Sequence, residues 1–118
     1  MQMQDKIVIN DYIENDPLSE ENLDKTLETV DRFRLLFPNK SIWIYSGYRW
    51  TEIFNDGVYL TRDCAGWKRR EIVRQCDVMI DGKYVDSQRD ITLKWRGSLN
   101  QNIWKNCNGI WENITNEI

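Results

Sequence analysis

The first part of the chain alternates between short apolar runs and a segment with helical spacing of its apolar residues. Residues 6–13 contain three consecutive aliphatic side chains, which is typical of a short, largely buried strand. In residues 19–37 the apolar positions recur at intervals of three and four, as on one face of a helix. Residues 41–47 are β-branched and aromatic and too short for a helix, so they predict a second strand. This order predicts two parallel strands joined by a crossover helix.

The rest of the chain predicts one more helix, further strands and a tail. Residues 67–76 are predicted as a second helix whose cationic side chains lie largely in solvent: Lys68, Arg69, Arg70 and Arg74. Residues 77–82 are predicted as a third strand ending in a turn, and residues 91–95 alternate like an edge strand. The Asn-Asp-Gly sequence at residues 55–57 predicts a turn. Residues 102–118 have no clear period, and we predict an irregular tail there.

These elements predict an α/β fold in a single domain, residues 1–118, with a small, mostly parallel sheet and flanking helices. The helix and strands should form one core from the following side chains: Leu27, Val30, Ile42, Ile44, Val78 and Ile80. The strand at residues 6–13 should lie at a sheet edge, where unpaired backbone groups invite another strand. We therefore expect this edge to be covered by the chain's own termini, by a partner or by a second copy in a homo-oligomer.

Composition and charge narrow the possible chemistry. The 118 residues carry 16 basic and 19 acidic side chains, a formal net charge of −3 and no histidine. Without imidazole, Ser-His-Asp catalysis, Cys-His catalysis and histidine metal sites are excluded for this sequence. The acidic balance gives no general electrostatic reason to bind a phosphate backbone, so we do not expect direct nucleic-acid binding. No apolar run approaches the ~20 residues of a membrane span. We therefore expect a cytoplasmic protein with no membrane contact.

The cysteines do not form a recognisable redox or metal motif. Cys64, Cys76 and Cys107 are odd in number and far apart, which matches neither a CxxC pair nor a disulfide framework. We therefore expect reduced, structural thiols and no metal site.

Several segments carry specific motifs in a fixed order. In chain order they are IWIYSGY at residues 42–48 with Trp50, DVMIDG at 77–82 with Arg89 and Asp90, and RGS at 96–98 with Asn100 and Gln101. Together they resemble the carboxyl-terminal half of the activating proteins of anaerobic ribonucleoside-triphosphate reductase, which are radical S-adenosylmethionine enzymes. Residues 16–19 lie where that family has the end of a Gly-Gly-Glu-Pro-Leu turn. The resemblance implies that the sheet is a fragment of the partial (β/α) barrel of those enzymes.

The same resemblance draws attention to two differences from the family. The family's CxxxCxxC loop, which holds a [4Fe-4S] cluster through three thiolates, has no counterpart in this sequence, which is expected to begin after it. The glycines that let the backbone approach the methionine end of S-adenosylmethionine are replaced by Glu14 and Asn15, which should obstruct that approach. We therefore expect no cofactor, no catalytic residue and no radical generation, which argues against an enzyme.

The motifs leave one candidate surface for protein binding. Trp43 and Tyr45 are interpreted as strand packing, and Asp81 with Gly82 as a turn rather than a catalytic acid. The resemblance suggests that two loops lie near the former active-site mouth, and we predict that they form one partner-binding surface: Tyr48, Arg49, Trp50, Arg96, Ser98, Asn100 and Gln101. Trp50 and Arg96 are the predicted anchors. The alternative is that Trp50 packs inward over the sheet while Arg96 braces its own loop.

The sequence therefore favours a non-catalytic function without deciding against an enzyme, and three hypotheses stay open. The first hypothesis is a truncated relative of the activating protein that binds a protein partner, with the large reductase subunit as a candidate. The second is a phage or mobile-element inhibitor of a host nucleic-acid-targeting defence complex, of the anti-CRISPR type, built on the same scaffold. The third is one half of a split activating enzyme, whose cluster-binding half is encoded separately.

Overall fold

The computed structural model describes residues 6–54 and 64–117. Within these ranges the helices and strands are, in chain order, β1 (Lys6–Val8), α1 (Leu23–Leu36), β2 (Ser41–Ser46), α2 (Trp50–Ile53), α3 (Ala65–Arg74), β3 (Val78–Asp81), β4 (Asn102–Cys107) and β5 (Ile110–Asn113). The turn predicted at residues 55–57 lies outside the described residues. No helix in the described ranges is long and apolar enough to cross a membrane.

The strands form one sheet in the order β1-β2-β3-β4-β5. β1, β2 and β3 are parallel, whereas β4 and β5 are each antiparallel to the strand before them. The predicted α/β class, with a small, mostly parallel sheet and flanking helices, is confirmed. Among the described residues β1 pairs with β2 alone, so it lies at the edge of the sheet where the sequence predicted it.

β1 is shorter than the predicted strand, and beyond its end the side chain of Asn10, rather than strand backbone, forms the hydrogen bonds to β2. The chain leaves the strand after Val8 and turns through a short 3₁₀ helix. The Asn10 amide donates to the Tyr45 carbonyl (2.9 Å), and the Asn10 side-chain oxygen accepts from the Tyr45 N–H (2.8 Å). This side chain therefore satisfies the backbone of β2 where the neighbouring strand has ended.

Both long helices cover the same face of the sheet. Val30 of α1 and Val73 of α3 are fully buried in one cluster with Ile42 and Ile44 of β2. Met79 of β3 belongs to this cluster because it is paired in register with Ile44. The buried positions predicted on α1 and β2 are thus confirmed, apart from Leu27, which is only partly buried against the cluster.

The prediction of one core is wrong for β3. Val78 and Ile80 are buried, but they lie on the opposite face of the sheet in a second cluster with Trp43 and Ile103. The register pairs Val78 with Trp43, and directly paired residues share a face, so alternation along the strand places Met79 among the helices instead. Trp43 is 5% exposed, and Tyr45 packs against this second cluster, so the interpretation of both as strand packing is confirmed.

The edge strand predicted at residues 91–95 is absent. Asp90 accepts hydrogen bonds from the backbone N–H (2.9 Å) and the hydroxyl (2.6 Å) of Thr92, which turns the chain. Trp95 has a φ of +70°, which no strand residue adopts, and its ring packs edge-on against Trp43 at 4.8 Å. The alternating pattern thus reflects a loop in which Trp95 turns inward and Ile91 is 84% exposed.

The irregular tail predicted at residues 102–118 is also wrong over most of its length. β4 and β5 form a hairpin there, joined at Asn108 and Gly109. Their φ values of +55° and +91° are those of the left-handed region that a two-residue hairpin turn requires. The Asn-Gly pair is the strongest local signal of a hairpin, and it was present in the sequence.

Truncation of Ile44 should test the helix-covered core. Because Ile44 is fully buried, Ile44→Ala should lower the free energy of unfolding by about 2–4 kcal/mol, measured by urea denaturation. Leu35→Ala is the control, since Leu35 is 81% exposed on α1 and its loss should cost less than about 0.5 kcal/mol. Equal losses for the two variants would contradict this packing.

Candidate functional site

The candidate site lies where the parallel strands β2 and β3 end. Their last residues, Ser46 and Asp81, are paired in register and buried on the helix-covered face, where polar side chains replace the apolar rows. The connections that leave the carboxyl ends of parallel strands are the usual position of a binding crevice in α/β proteins. Both loops of the predicted partner-binding surface meet at this edge.

The Asp81 carboxylate is the centre of the site. It is 1% exposed and accepts hydrogen bonds from the Trp50 N–H (2.8 Å), the Trp104 indole N–H (3.1 Å) and the Asn102 N–H (3.2 Å). The Arg49 guanidinium lies 3.4 Å from its second oxygen and supplies an opposite charge. A buried carboxylate is tolerated only when it is paired and hydrogen-bonded, and here donors from several segments meet that need.

Arg49 joins the two predicted loops. Its Nη1 atom donates to the carbonyl of Asn100 at 2.8 Å as well as contacting Asp81. The proximity that the resemblance suggested for these loops is therefore confirmed. Gly82 has a φ of +94°, a conformation that strains any other residue, and a Cβ there would lie 2.6 Å from the guanidinium and displace it from Asp81. Asp81 ends β3 and the chain bends at Gly82, and the contacts of the Asp81 side chain are with donors of the protein itself.

Internal hydrogen bonds fix the loop at residues 96–101. Arg96 donates from Nη1 to the carbonyls of Leu99 (2.8 Å) and Gln101 (3.0 Å), so it braces its own loop, as the alternative interpretation proposed. The Gln101 side-chain oxygen accepts from the N–H groups of Gly97 (2.9 Å) and Ser98 (3.1 Å). Ser98 is fully buried. Its position and these bonds give the loop one defined shape.

The same loop is tied to the segment that follows β3. The Ser98 hydroxyl donates to the Asn100 side-chain oxygen (2.6 Å) and accepts from the Val85 N–H (3.2 Å). The Asn100 amide donates to the Lys83 carbonyl at 2.7 Å. The hydrogen bonds of Ser98, Asn100 and Gln101 therefore stabilise the surface from inside the protein. This structural role differs from direct contact with a partner.

The aromatic members of the predicted surface pack against the protein. The Trp50 ring stacks on Trp104 at 4.3 Å with the planes 13° apart, and Phe54 and Trp111 lie beside it. Tyr48 accepts a hydrogen bond from Arg69 (3.0 Å), whose guanidinium also lies 4.2 Å from the ring centroid. Trp50 is half-buried and thus packs inward over the sheet.

The prediction that the cations of α3 lie largely in solvent is wrong for three of the four. Lys68 pairs with a carboxylate of α1 at 2.6 Å. Arg69 donates to the carbonyl of Leu18 (2.8 Å), and Arg70 donates to the last carbonyl of α2 (2.8 Å). Only Arg74 stays mostly exposed, at 64%. These three side chains connect α3 to α1, to the segment before α1 and to α2.

A small cavity of about 250 Å³ opens beside the ends of β2 and β3. Asp16 lines it and accepts hydrogen bonds from the Ser46 hydroxyl (2.9 Å) and the Gly47 N–H (2.9 Å). Glu14 and Asn15 instead line a separate open depression. The obstruction of S-adenosylmethionine that we expected from these two residues stays a prediction.

A family model described as "4Fe-4S single cluster domain" matches residues 14–104. The chain belongs to this family. Over 99 residues it is also 33% identical to the anaerobic ribonucleoside-triphosphate reductase-activating protein of Enterobacteria phage T4. This alignment covers 82% of this chain and 53% of that protein. The proteins of the same name from Pasteurella multocida (36% identical) and Escherichia coli K12 (34%) match 76% and 73% of this chain and 51% and 48% of their own length.

These matches confirm the resemblance drawn from the sequence motifs. The chain spans about half the length of the curated relatives it matches. No solved structure is significantly similar to it, so the expected place of the sheet in a partial barrel stays a prediction.

The cysteines of this member of the 4Fe-4S single cluster domain family do not fit an iron–sulfur cluster. Cys64 lies at the start of α3 and accepts from the Trp67 N–H at 3.3 Å. Cys76 is 1% exposed, and burial, together with the neighbouring charge of Asp77, raises the pKa of its thiol. Cys107 ends β4. In the part of the chain that the structure describes, no three Cys, His, Asp or Glu side chains are placed to hold a metal ion.

Sequence reasoning missed two features of the site. Trp104, which donates to Asp81 and stacks on Trp50, lies in the segment predicted to be irregular. Its signal was the Asn-Gly turn four residues later, which predicts paired strands on both sides. The central role of Asp81 had no such signal, because the sequence does not show which donors surround a carboxylate.

Asp81→Asn should weaken the contacts that join Asp81 to Arg49, Trp50 and Trp104 while keeping the side-chain shape. The amide loses the charge that faces Arg49 and presents at most one acceptor oxygen, so buried N–H groups lose partners. We expect a loss of about 2–4 kcal/mol of unfolding free energy in urea denaturation. Asp24→Asn is the matched control, since Asp24 is 86% exposed in its pair with Lys68 and should lose less than about 1 kcal/mol. If Asp81→Asn lost no more unfolding free energy than Asp24→Asn, the result would contradict a stabilising role of the Asp81 carboxylate.

Proposed function

We propose that this chain is a protein-binding relative of the reductase-activating proteins that acts by occupying a surface of its partner. The proposed partner is the large subunit of anaerobic ribonucleoside-triphosphate reductase, the enzyme after which the relatives are named. The proposed binding surface consists of residues 48–50 and 83–101, hereafter the carboxyl-end surface.

One observation carries the proposal: a rigid loop presents large apolar side chains to water. Tyr84 is 51% exposed and lies over Gly97, with ring carbons 3.2 and 3.3 Å from the position that a Cβ would take. Leu99 is 56% exposed, and its N–H donates to the Gln88 carbonyl at 2.9 Å. Exposed apolar clusters commonly mark interaction sites, and a loop already fixed in shape loses little entropy on binding.

The residues of the predicted surface divide into two groups. One group uses its polar atoms in internal hydrogen bonds and so fixes the shape of the surface: Arg49, Arg96, Ser98 and Gln101. Asn100 belongs to the same group through its bond to the Lys83 carbonyl. Trp50 and Tyr48 form the second group, which supports the surface by packing against Trp104 and Arg69. In this proposal the direct contacts pass to neighbours that the sequence did not single out, Tyr84 and Leu99.

The proposal predicts that the exposed apolar side chains contribute to binding. Tyr84→Ala and Leu99→Ala should each weaken the affinity for purified reductase large subunit about tenfold, measured by isothermal titration calorimetry. Ile110→Ala is the matched control, because Ile110 is 70% exposed on β5 and lies outside the carboxyl-end surface. It should keep full affinity.

Two results would contradict the proposed function. Failure of the unaltered chain to bind the reductase subunit would remove the proposed partner. Unchanged affinity in both Tyr84→Ala and Leu99→Ala, with melting curves like that of the unaltered chain, would move the binding site elsewhere.

A further inference from the structure

The carboxyl-end surface differs in charge from the rest of the chain. Residues 83–99 contain four basic and two acidic side chains, whereas the whole chain has 16 basic and 19 acidic ones. Both acids of the segment are engaged within it: Asp86 accepts from the Tyr84 hydroxyl at 3.1 Å, and Asp90 accepts from Thr92. A local excess of positive charge therefore lies on an otherwise acidic protein.

Two cations border the exposed apolar side chains. Lys83 precedes Tyr84, and its side chain is exposed. Arg89 is exposed too, and its backbone forms a bridge with Ser98, next to Leu99. Neither cation forms a salt bridge among the described residues.

We infer that the partner segment seated on the carboxyl-end surface is acidic, with carboxylates flanking an apolar side chain. This inference rests on the proposed function and specifies its partner's chemistry. The apolar side chain of the partner would pack between Tyr84 and Leu99, while its carboxylates pair with Lys83 and Arg89. Opposite charges around an apolar centre raise the association rate and fix orientation.

An acidic protein segment is favoured over nucleic acid for two reasons. Large apolar side chains, Tyr84 and Leu99, are exposed on the surface, whereas a phosphate backbone binds hydrogen-bond donors. The remainder of the chain carries a net negative charge, which repels a polyanion that extends beyond a small patch. A short protein segment can reach the local cations without meeting that charge.

The test is the salt dependence of association between the full chain and purified reductase large subunit. Raising NaCl from about 50 to about 500 mM should slow association of the unaltered chain about tenfold, because the attraction is screened. The neutral pair Lys83→Gln/Arg89→Gln should associate about tenfold more slowly at low salt and lose most of its salt dependence. Arg89→Gln alone should give a smaller change in the same direction. This single variant replaces the double variant in the test if the double variant melts at a lower temperature than the unaltered chain.

The matched control is Lys25→Gln/Arg32→Gln on α1, which removes the same charge from a different face. It should keep the rate and the salt dependence of the unaltered chain. A complex that forms equally well in the test pair and the control pair overturns the inference and leaves the proposed function standing. Failure of the unaltered chain to bind the subunit overturns the proposed function, and the inference with it. Tighter binding to a short duplex DNA or RNA than to the subunit would assign the cations to phosphate and overturn the inference.

Discussion

The carboxylate of Asp81 is the interaction on which the arrangement of the loops depends. It ends a parallel strand inside the protein, where an unpaired charge would be costly, and its donors come from two separate parts of the chain. The bond to the Trp50 N–H sets the start of α2, and the bonds to Asn102 and Trp104 set the start of β4. Arg49, held against the same carboxylate, reaches the loop that contains Asn100. One buried charge thereby couples the ends of the sheet to the loops above it.

This coupling leaves few free polar groups at an edge that usually receives a ligand in α/β proteins, which is consistent with the proposed docking role. The polar groups at the ends of β2 and β3 are largely satisfied by the chain itself, through Asp16 on one side and Asp81 on the other. What faces solvent is a fixed loop with exposed apolar side chains such as Tyr84 and Leu99. Membership of the 4Fe-4S single cluster domain family accounts for the sequence motifs at this edge.

The sequence predicted the elements whose pattern is local, and it failed where distant contacts decide. Apolar periodicity located α1, β2 and β3 because each buries a regular row of side chains. The same pattern could not assign Val78 and Ile80 to a face, since the register between β2 and β3 determines that. The alternation at residues 91–95 misled because an Asx turn and the positive φ of Trp95 bend the segment. The proximity of the two loops was predicted from the family resemblance. The partners of the α3 cations were not predicted, because no spacing rule identifies them.

Hydrogen–deuterium exchange on the complex with the reductase large subunit tests the central claim most directly. If the carboxyl-end surface is the docking site, backbone amides of residues 83–99 should exchange more slowly in the complex than in the free chain. Amides on the exposed face of α1 should exchange at the same rate in both states. Protection confined to α1 or to the edge strands β1 and β5, with none in residues 83–99, would contradict the account.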